Sequence, residues 1–249
     1  MEVSSEPTIT PPDNDRDLRI LLWGIDGTLM RSAPNTFRES TKAVLRHVFG
    51  TAGRIDKVPL TGMTDLQYIV EALSSAGFTR EDVSSFTHEI SNQYLCEIQR
   101  AIRNGAQFNV LPGVREALET IAKARRYRSA ILTGSFQSTA NFKLNLADLS
   151  DYFDVPGTFG DQAYHRRELP PLAARIISTH LRSEFAPSQF IVIGDTPDDI
   201  AGARHFGARS IGVATGHSYT FDDLLRCEPD AVLPDLSNTQ LLMQTLARL

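Results

Sequence analysis

The chain has 249 residues, 41% of them hydrophobic and 22% charged, which suits one domain with a sizeable insertion or two modest domains. Its formal charge of -5 and pI near 5.7 count against a general nucleic-acid binder, which needs a basic surface to meet phosphates. No apolar run is long enough to cross a bilayer and the N-terminus carries no signal-peptide core, so the expected location is cytoplasmic, with no membrane partner.

Residues 1–17 are rich in Ser, Pro, Thr, Asp and Asn and poor in large apolar side chains, so burial cannot offset their ordering entropy and a disordered tail is expected. Residues 19–25 then form an apolar strand that runs into the acidic, glycine-bearing turn Gly24-Ile25-Asp26-Gly27-Thr28. From about 34 to 105 the patterns are helical, over Phe37 to Phe49, Asp65 to Ser75 and Val83 to Ala101, with no convincing strand. Within that stretch the polar segment Leu60 to Asp65 reads as a helix N-cap by Thr64 or Asp65, or as a loop reaching toward a substrate.

Beyond residue 105, helices are expected near 113–126, 137–148, 168–183, 198–206 and 237–248, and strands near 128–132, 190–194, 209–214 and 230–233. Strands alternating with helices imply parallel pairing through right-handed crossovers, with helices on both faces. The fold class is therefore α/β, a Rossmann-like doubly wound parallel sheet. Such sheets bind ligands beyond the carboxyl ends of their strands. Gly24 to Thr28, Thr133-Gly134 and Gly194-Asp195 all lie at such ends.

The acidic turns carry the chemistry. Ile191-Val192-Ile193-Gly194-Asp195 is a buried strand delivering Asp195, with Asp199 four residues on, to a turn before a helix. Taken singly, Thr133 reads as a turn cap, Arg166 as a solvated charge, and Asp195 with Asp199 as helix caps. Gly24 alone reads as a residue that lets a strand end turn. His217, in Gly216-His217-Ser218 after the strand ending at Ala214, reads as a surface histidine near the same strand ends. Cys96 and Cys227 are far apart, in no metal or redox spacing, and read as free thiols.

Together, Gly24-Ile25-Asp26-Gly27-Thr28, Ile131-Leu132-Thr133-Gly134, Arg166-Arg167 and Gly194-Asp195 with Asp199 resemble, in order, the four motifs of the haloacid dehalogenase superfamily, phosphatase type. The resemblance implies domains of 18–33 with 106–249 for the core and 34–105 for a helical cap that closes over the pocket. It implies that Asp26 is the general acid or base and that Arg166, with Arg167 as the fallback, bridges nucleophile and phosphoryl group. Thr133 and Gly134, with Gly27 and Thr28, would bind phosphate. Mg2+ would be held by Asp195, the Asp26 region and Asp199.

At position 24 the chain departs from that pattern, because the motif's first residue is the nucleophilic aspartate and here it is glycine. A covalent aspartyl-phosphate cannot form there, and Mg2+ loses one carboxylate ligand, so weakened binding is expected. Three readings stay open: an enzyme repurposed to non-covalent acid/base chemistry through Asp26, a silent pseudophosphatase that binds a metabolite or partner, and an ordinary phosphatase with a substituted nucleophile. In each, the ligand is a small phosphorylated or anionic metabolite.

Overall fold

A computed structural model of the protein describes residues 17–33, 35–59 and 61–249. The tail expected at 1–17 lies outside the described residues except for Asp17. The first strand, β1 (Arg19–Trp23), is followed by the short β2 (Met30–Ser32). Four helices come next: α1 (Thr36–Phe49), α2 (Asp65–Leu73), α3 (Arg80–Ser85) and α4 (Thr87–Arg103). The chain returns through β3 (Phe108–Val110), α5 (Val114–Ala122), β4 (Tyr127–Ile131) and α6 (Gln137–Leu146). It finishes with α7 (Leu169–Leu181), β5 (Phe190–Gly194), α8 (Pro197–Phe206), β6 (Arg209–Val213), α9 (Phe221–Leu225), β7 (Ala231–Leu233) and α10 (Thr239–Arg248).

Five strands form one parallel sheet in the order β4-β1-β5-β6-β7. Strand β1 reads as a continuous apolar run because both of its faces are covered, as parallel sheets require. Leu21 and Trp23 enter one core with Val114, Leu118 and Ile121 of α5 and with Leu242 and Leu246 of α10. Ile20 and Leu22 enter the opposite core with Leu169, Ala173 and Ile177 of α7. Strand β5 divides in the same way, Ile191 and Ile193 to one side and Phe190 and Val192 to the other. The doubly wound expectation holds, and all five expected strands sit in this one sheet.

A separate cluster, including Val44, Leu45, Ile69, Leu73, Ile90 and Tyr94, holds the four-helix insert together. Phe136, at the entry to α6, is fully buried in that same cluster, so the core contributes a side chain to the interior of the insert. Strands β2 and β3, at the two ends of the insert, pair antiparallel with Met30 opposite Val110. That pair was not foreseen, since three residues are too few to show alternation. The helix expected from Val83 to Ala101 is broken at Phe86, where α3 ends and α4 begins. Thr79 caps α3 through a reciprocal box with Asp82, which fixes that helix as a separate turn-and-a-half.

Both cysteines are free, Cys96 exposed and Cys227 half-buried. Among the described residues no helix is long and apolar enough to cross a membrane.

The two-faced burial of β1 gives a stability test. Leu22→Ala removes a fully buried side chain beneath α7 and should cost about 2–5 kcal/mol in denaturant unfolding. Leu241→Ala, at an exposed position on α10, should change stability by no more than about 0.5 kcal/mol.

Candidate active site

The carboxyl ends of β1, β4 and β5 meet at one point, because β1 lies between the other two. The turn after β1 bends sharply: Leu29 and Met30 both donate backbone N–H groups to Ile25 O, and Gly27 has a φ of 84°. A Cβ on Gly27 would run into the Asp195 carboxylate, and a Cβ on Gly216 would do the same from the other side. Glycine at both positions therefore lets backbone close around this side chain. Thr28 donates its hydroxyl to Asp195 Oδ1 at 3.0 Å, and Thr215 donates to Gly27 O at 2.6 Å. Burial, and then neighbouring Asp199, push the Asp195 pKa up to about 7, against the pull of Arg166 and Thr28.

Asp199 is engaged on both of its oxygens. Its Oδ2 accepts from the Thr196 N–H and hydroxyl in the capping box of α8, and its Oδ1 accepts from Arg166 Nε at 2.9 Å and Nη2 at 2.7 Å. Both oxygens are engaged inside the protein, so Asp199 holds the start of α8 and the Arg166 guanidinium in place. Among the described residues no three His, Cys, Asp or Glu side chains converge as metal ligands. Burial works against the Arg166 charge, yet Asp199, Asp195 and Asp198 raise its pKa above the ordinary value. Arg166 lines the cavity described below, and Arg167 does not.

Lys143 is the residue that the sequence reading missed. It sits on α6, fully buried, with Nζ 2.5 Å from Asp26 Oδ2 and 3.2 Å from Ser135 Oγ. Ser135 also donates to Asp26 Oδ2, at 3.1 Å, so two donors fix one carboxylate oxygen while Asp26 Oδ1 is buried without a partner. Phe37 of α1 lays its ring 4.7 Å from the ammonium, a cation–π contact that joins the insert to this pair. The signal lay in the spacing: Ala140, Lys143 and Leu144 are all buried in α6, placing a lysine within an apolar i, i+3, i+4 stripe.

Thr133 is buried, donates its N–H to Thr158 O and accepts from Ser135 N–H at Oγ1. Gly134 lies under the insert: its carbonyl accepts from Asp65 N–H at 2.7 Å, and a Cβ there would meet Met63 O. Thr64 is the N-cap of α2, accepting from Gln67 N–H at 3.1 Å, while Asp65 Oδ2 accepts from Phe136 N–H at 3.0 Å. The segment 61–65 thus both caps a helix and ties insert to core. Burial pushes the Asp65 pKa up to about 7, with Lys143 and the Phe136 amide opposing.

At Gly24 the backbone does not require glycine, since its φ is not in the left-handed region. Space is the constraint: a Cβ would lie 2.8 Å from Thr28 Oγ1, the same hydroxyl that bonds Asp195. Asp26, Gly27, Thr133, Gly134, Arg166 and Asp195 line a cavity of about 650 Å³ between the core and the insert, whereas Gly24 and Thr28 do not. His217 and Ser218 reach the cavity too, Ser218 Oγ lying 2.9 Å from Thr61 Oγ1.

A doubly wound sheet with acidic turns at its carboxyl edge, roofed by a helical insert, defines the class to which phosphoryl-transfer hydrolases belong. The chain is a member of the haloacid dehalogenase-like hydrolase family, whose profile matches residues 18–207. It is 33% identical to a phosphorylated carbohydrates phosphatase from Thermotoga maritima over 205 residues, 78% of this chain and 84% of that protein. It is 26% identical to a phosphoglycolate phosphatase from Agrobacterium fabrum over 229 residues, 88% of this chain and 89% of that one. Its fold matches the crystal structure of a β-phosphoglucomutase from Clostridium difficile with a TM-score of 0.67 at 16% identity, covering 93% of this chain and 98% of that chain.

Two tests follow from the buried charges. Lys143→Met strands Asp26 without its cation and should cost roughly 2–3 kcal/mol, less than the loss of a fully buried pair because Asp26 is 33% exposed. The double variant Lys143→Met/Asp26→Asn should recover most of that loss in denaturant unfolding. For Asp65, a folded pKa near 7 stands above the unfolded value, so its contribution is full below about pH 4 and is lost as pH rises through 7. Between pH 6 and pH 8 the protein should lose on the order of 1 kcal/mol that Asp65→Asn does not lose, read from unfolding at the two pH values.

Proposed function

We propose that this protein is a phosphohydrolase that binds a phosphorylated small metabolite in the cavity between core and insert and works without a covalent intermediate. The family assignment supports phosphatase-type chemistry, and the relatives named above are phosphatases of phosphorylated carbohydrates and phosphoglycolate. The insert acts as a cap that covers the substrate. The observation that carries the reading is Asp26: it lines the cavity with its side chain 33% exposed, and Lys143 and Ser135 hold its Oδ2 in place. A carboxylate fixed in this way at the cavity wall is placed to take a proton from a water in the cavity.

In the reaction, water oxygen forms the new bond to phosphorus while Asp26 accepts the water proton, and the ester P–O bond breaks. The leaving alkoxide takes up that proton, so one phosphate ester and one water become one alcohol and one inorganic phosphate. Arg166 and Thr133 line the cavity where they hold phosphoryl oxygens, and Lys143 orients the base from behind. Mg2+, which phosphatases of this family generally use, fits the cradle that Gly27 and Gly216 leave around Asp195. Asp195 would hold it with a backbone carbonyl of the Asp26 region, the remaining positions going to water and substrate. When bound, it neutralises charge on the transferring group.

A second reading, a binder without turnover, is favoured by Gly24, where Thr28 closes the room in which a nucleophile would stand. Purified protein assayed with Mg2+ against a panel of phosphomonoesters separates the two. Turnover that Asp26→Asn abolishes while vanadate still binds supports the hydrolase, and binding without turnover in wild type supports the silent protein. Gly24→Asp alone must displace the Thr28 hydroxyl, whereas Gly24→Asp/Thr28→Ala has the room. Phosphatase activity should rise at least about a hundredfold in the double variant, against a ceiling near 10⁶ for supplying a nucleophile, and by less in the single one.

A further inference from the structure

Two arginines in the cavity have no part in the chemistry above. Arg31 lies in β2 and Arg38 in α1; both are half-buried and both line the cavity. Among the described residues neither forms an ion pair, whereas Asp26 is paired with Lys143 and Arg166 with Asp199. Asp65 and Asp195 are hydrogen-bonded to the Phe136 amide and the Thr28 hydroxyl. Arg38 is anchored by the carbonyls of Ile55 and Val58, which take one N–H from each terminal nitrogen. Among the described residues Arg31 makes one long contact, 3.5 Å, to Thr215 O. A guanidinium carries five N–H donors, so most of those on Arg31 and several on Arg38 are uncommitted.

A half-buried guanidinium without an anion bears a desolvation cost that a bound oxyanion would relieve, and its planar fork fits carboxylate or phosphoryl oxygens in pairs. At about 650 Å³ the cavity falls within the range of small-molecule sites, about 300–1,000 Å³, and is far larger than a phosphoryl group needs. We infer that Arg31 and Arg38 hold a second anionic group of the substrate, so that the cavity selects phosphate esters bearing a further oxyanion. This rests on the reading of the floor as the phosphoryl site.

Calorimetric titration of the full chain with Mg2+ tests it with two matched pairs: 2-phosphoglycolate against ethyl phosphate, and fructose 1,6-bisphosphate against fructose 6-phosphate. The wild type should prefer the doubly anionic member of at least one pair by about tenfold or more. A preference in the first pair identifies a carboxylate as the distal group, and one in the second pair a phosphoryl group. Arg31→Gln should reduce the ratio several-fold and Arg31→Gln/Arg38→Gln should bring it to about one. Since Arg38 also supports two carbonyls of the insert, Arg31→Gln alone decides the matter if the double variant does not fold. No preference in either pair, or a preference that survives loss of Arg31, overturns the clamp while leaving the phosphoryl site standing. If none of the four esters binds, both readings fall.

Discussion

The site depends on how closely the turn after β1 approaches Asp195. Strands β1 and β5 are hydrogen-bonded neighbours, so their carboxyl ends leave the sheet side by side, and only glycine at 27 and 216 lets the two loops close on the carboxylate. Thr28 and Thr215 then stitch the loops together, one through the Asp195 side chain and the other through the Gly27 carbonyl. The same closeness accounts for the raised pKa of Asp195, because backbone that excludes water also withholds the solvation of a charge.

Around that point the charges are arranged in pairs that link separate elements. Lys143 brings α6 to the turn after β1, and Arg166 brings the entry of α7 to the start of α8. Each pair gives a buried ion, Lys143 or Asp199, a partly buried counter-ion, which is the condition under which buried charges are tolerated. The consequence is orientation: Lys143 and Ser135 fix the Asp26 carboxylate and Asp199 fixes the Arg166 guanidinium, both at the wall of the cavity.

Much of this was legible in the sequence where a local rule dominates. Continuous apolar runs marked β1 and β5 as strands buried on both faces, and the acidic turns after them located the edge of the sheet where the site lies. What could not be read depended on distant partners. The β2–β3 pair joins segments nearly eighty residues apart in the chain, and three-residue strands leave no periodic trace. For Asp199 the family resemblance implied a metal role and the residue alone implied a helix cap; the structure shows the capping box with Thr196, and Arg166 on the other oxygen, a partner the sequence could not supply. Lys143 escaped notice because a lysine inside an apolar stripe makes sense only once its counter-ion is known. Gly24 was read through its missing side chain, whereas the structure adds that a neighbour fills the space.

The ring of Phe37 over the Lys143 ammonium gives the insert a hold on the electrostatics of the floor. Phe37 belongs to α1, and Lys143 and Asp26 belong to the core. Any outward swing of the insert withdraws the ring and admits water to the ammonium, and the local dielectric rises where the carboxylate is gripped. Attraction between two such charges scales inversely with that dielectric. By keeping the ring over the ammonium, the insert therefore strengthens the grip on Asp26 from a distance.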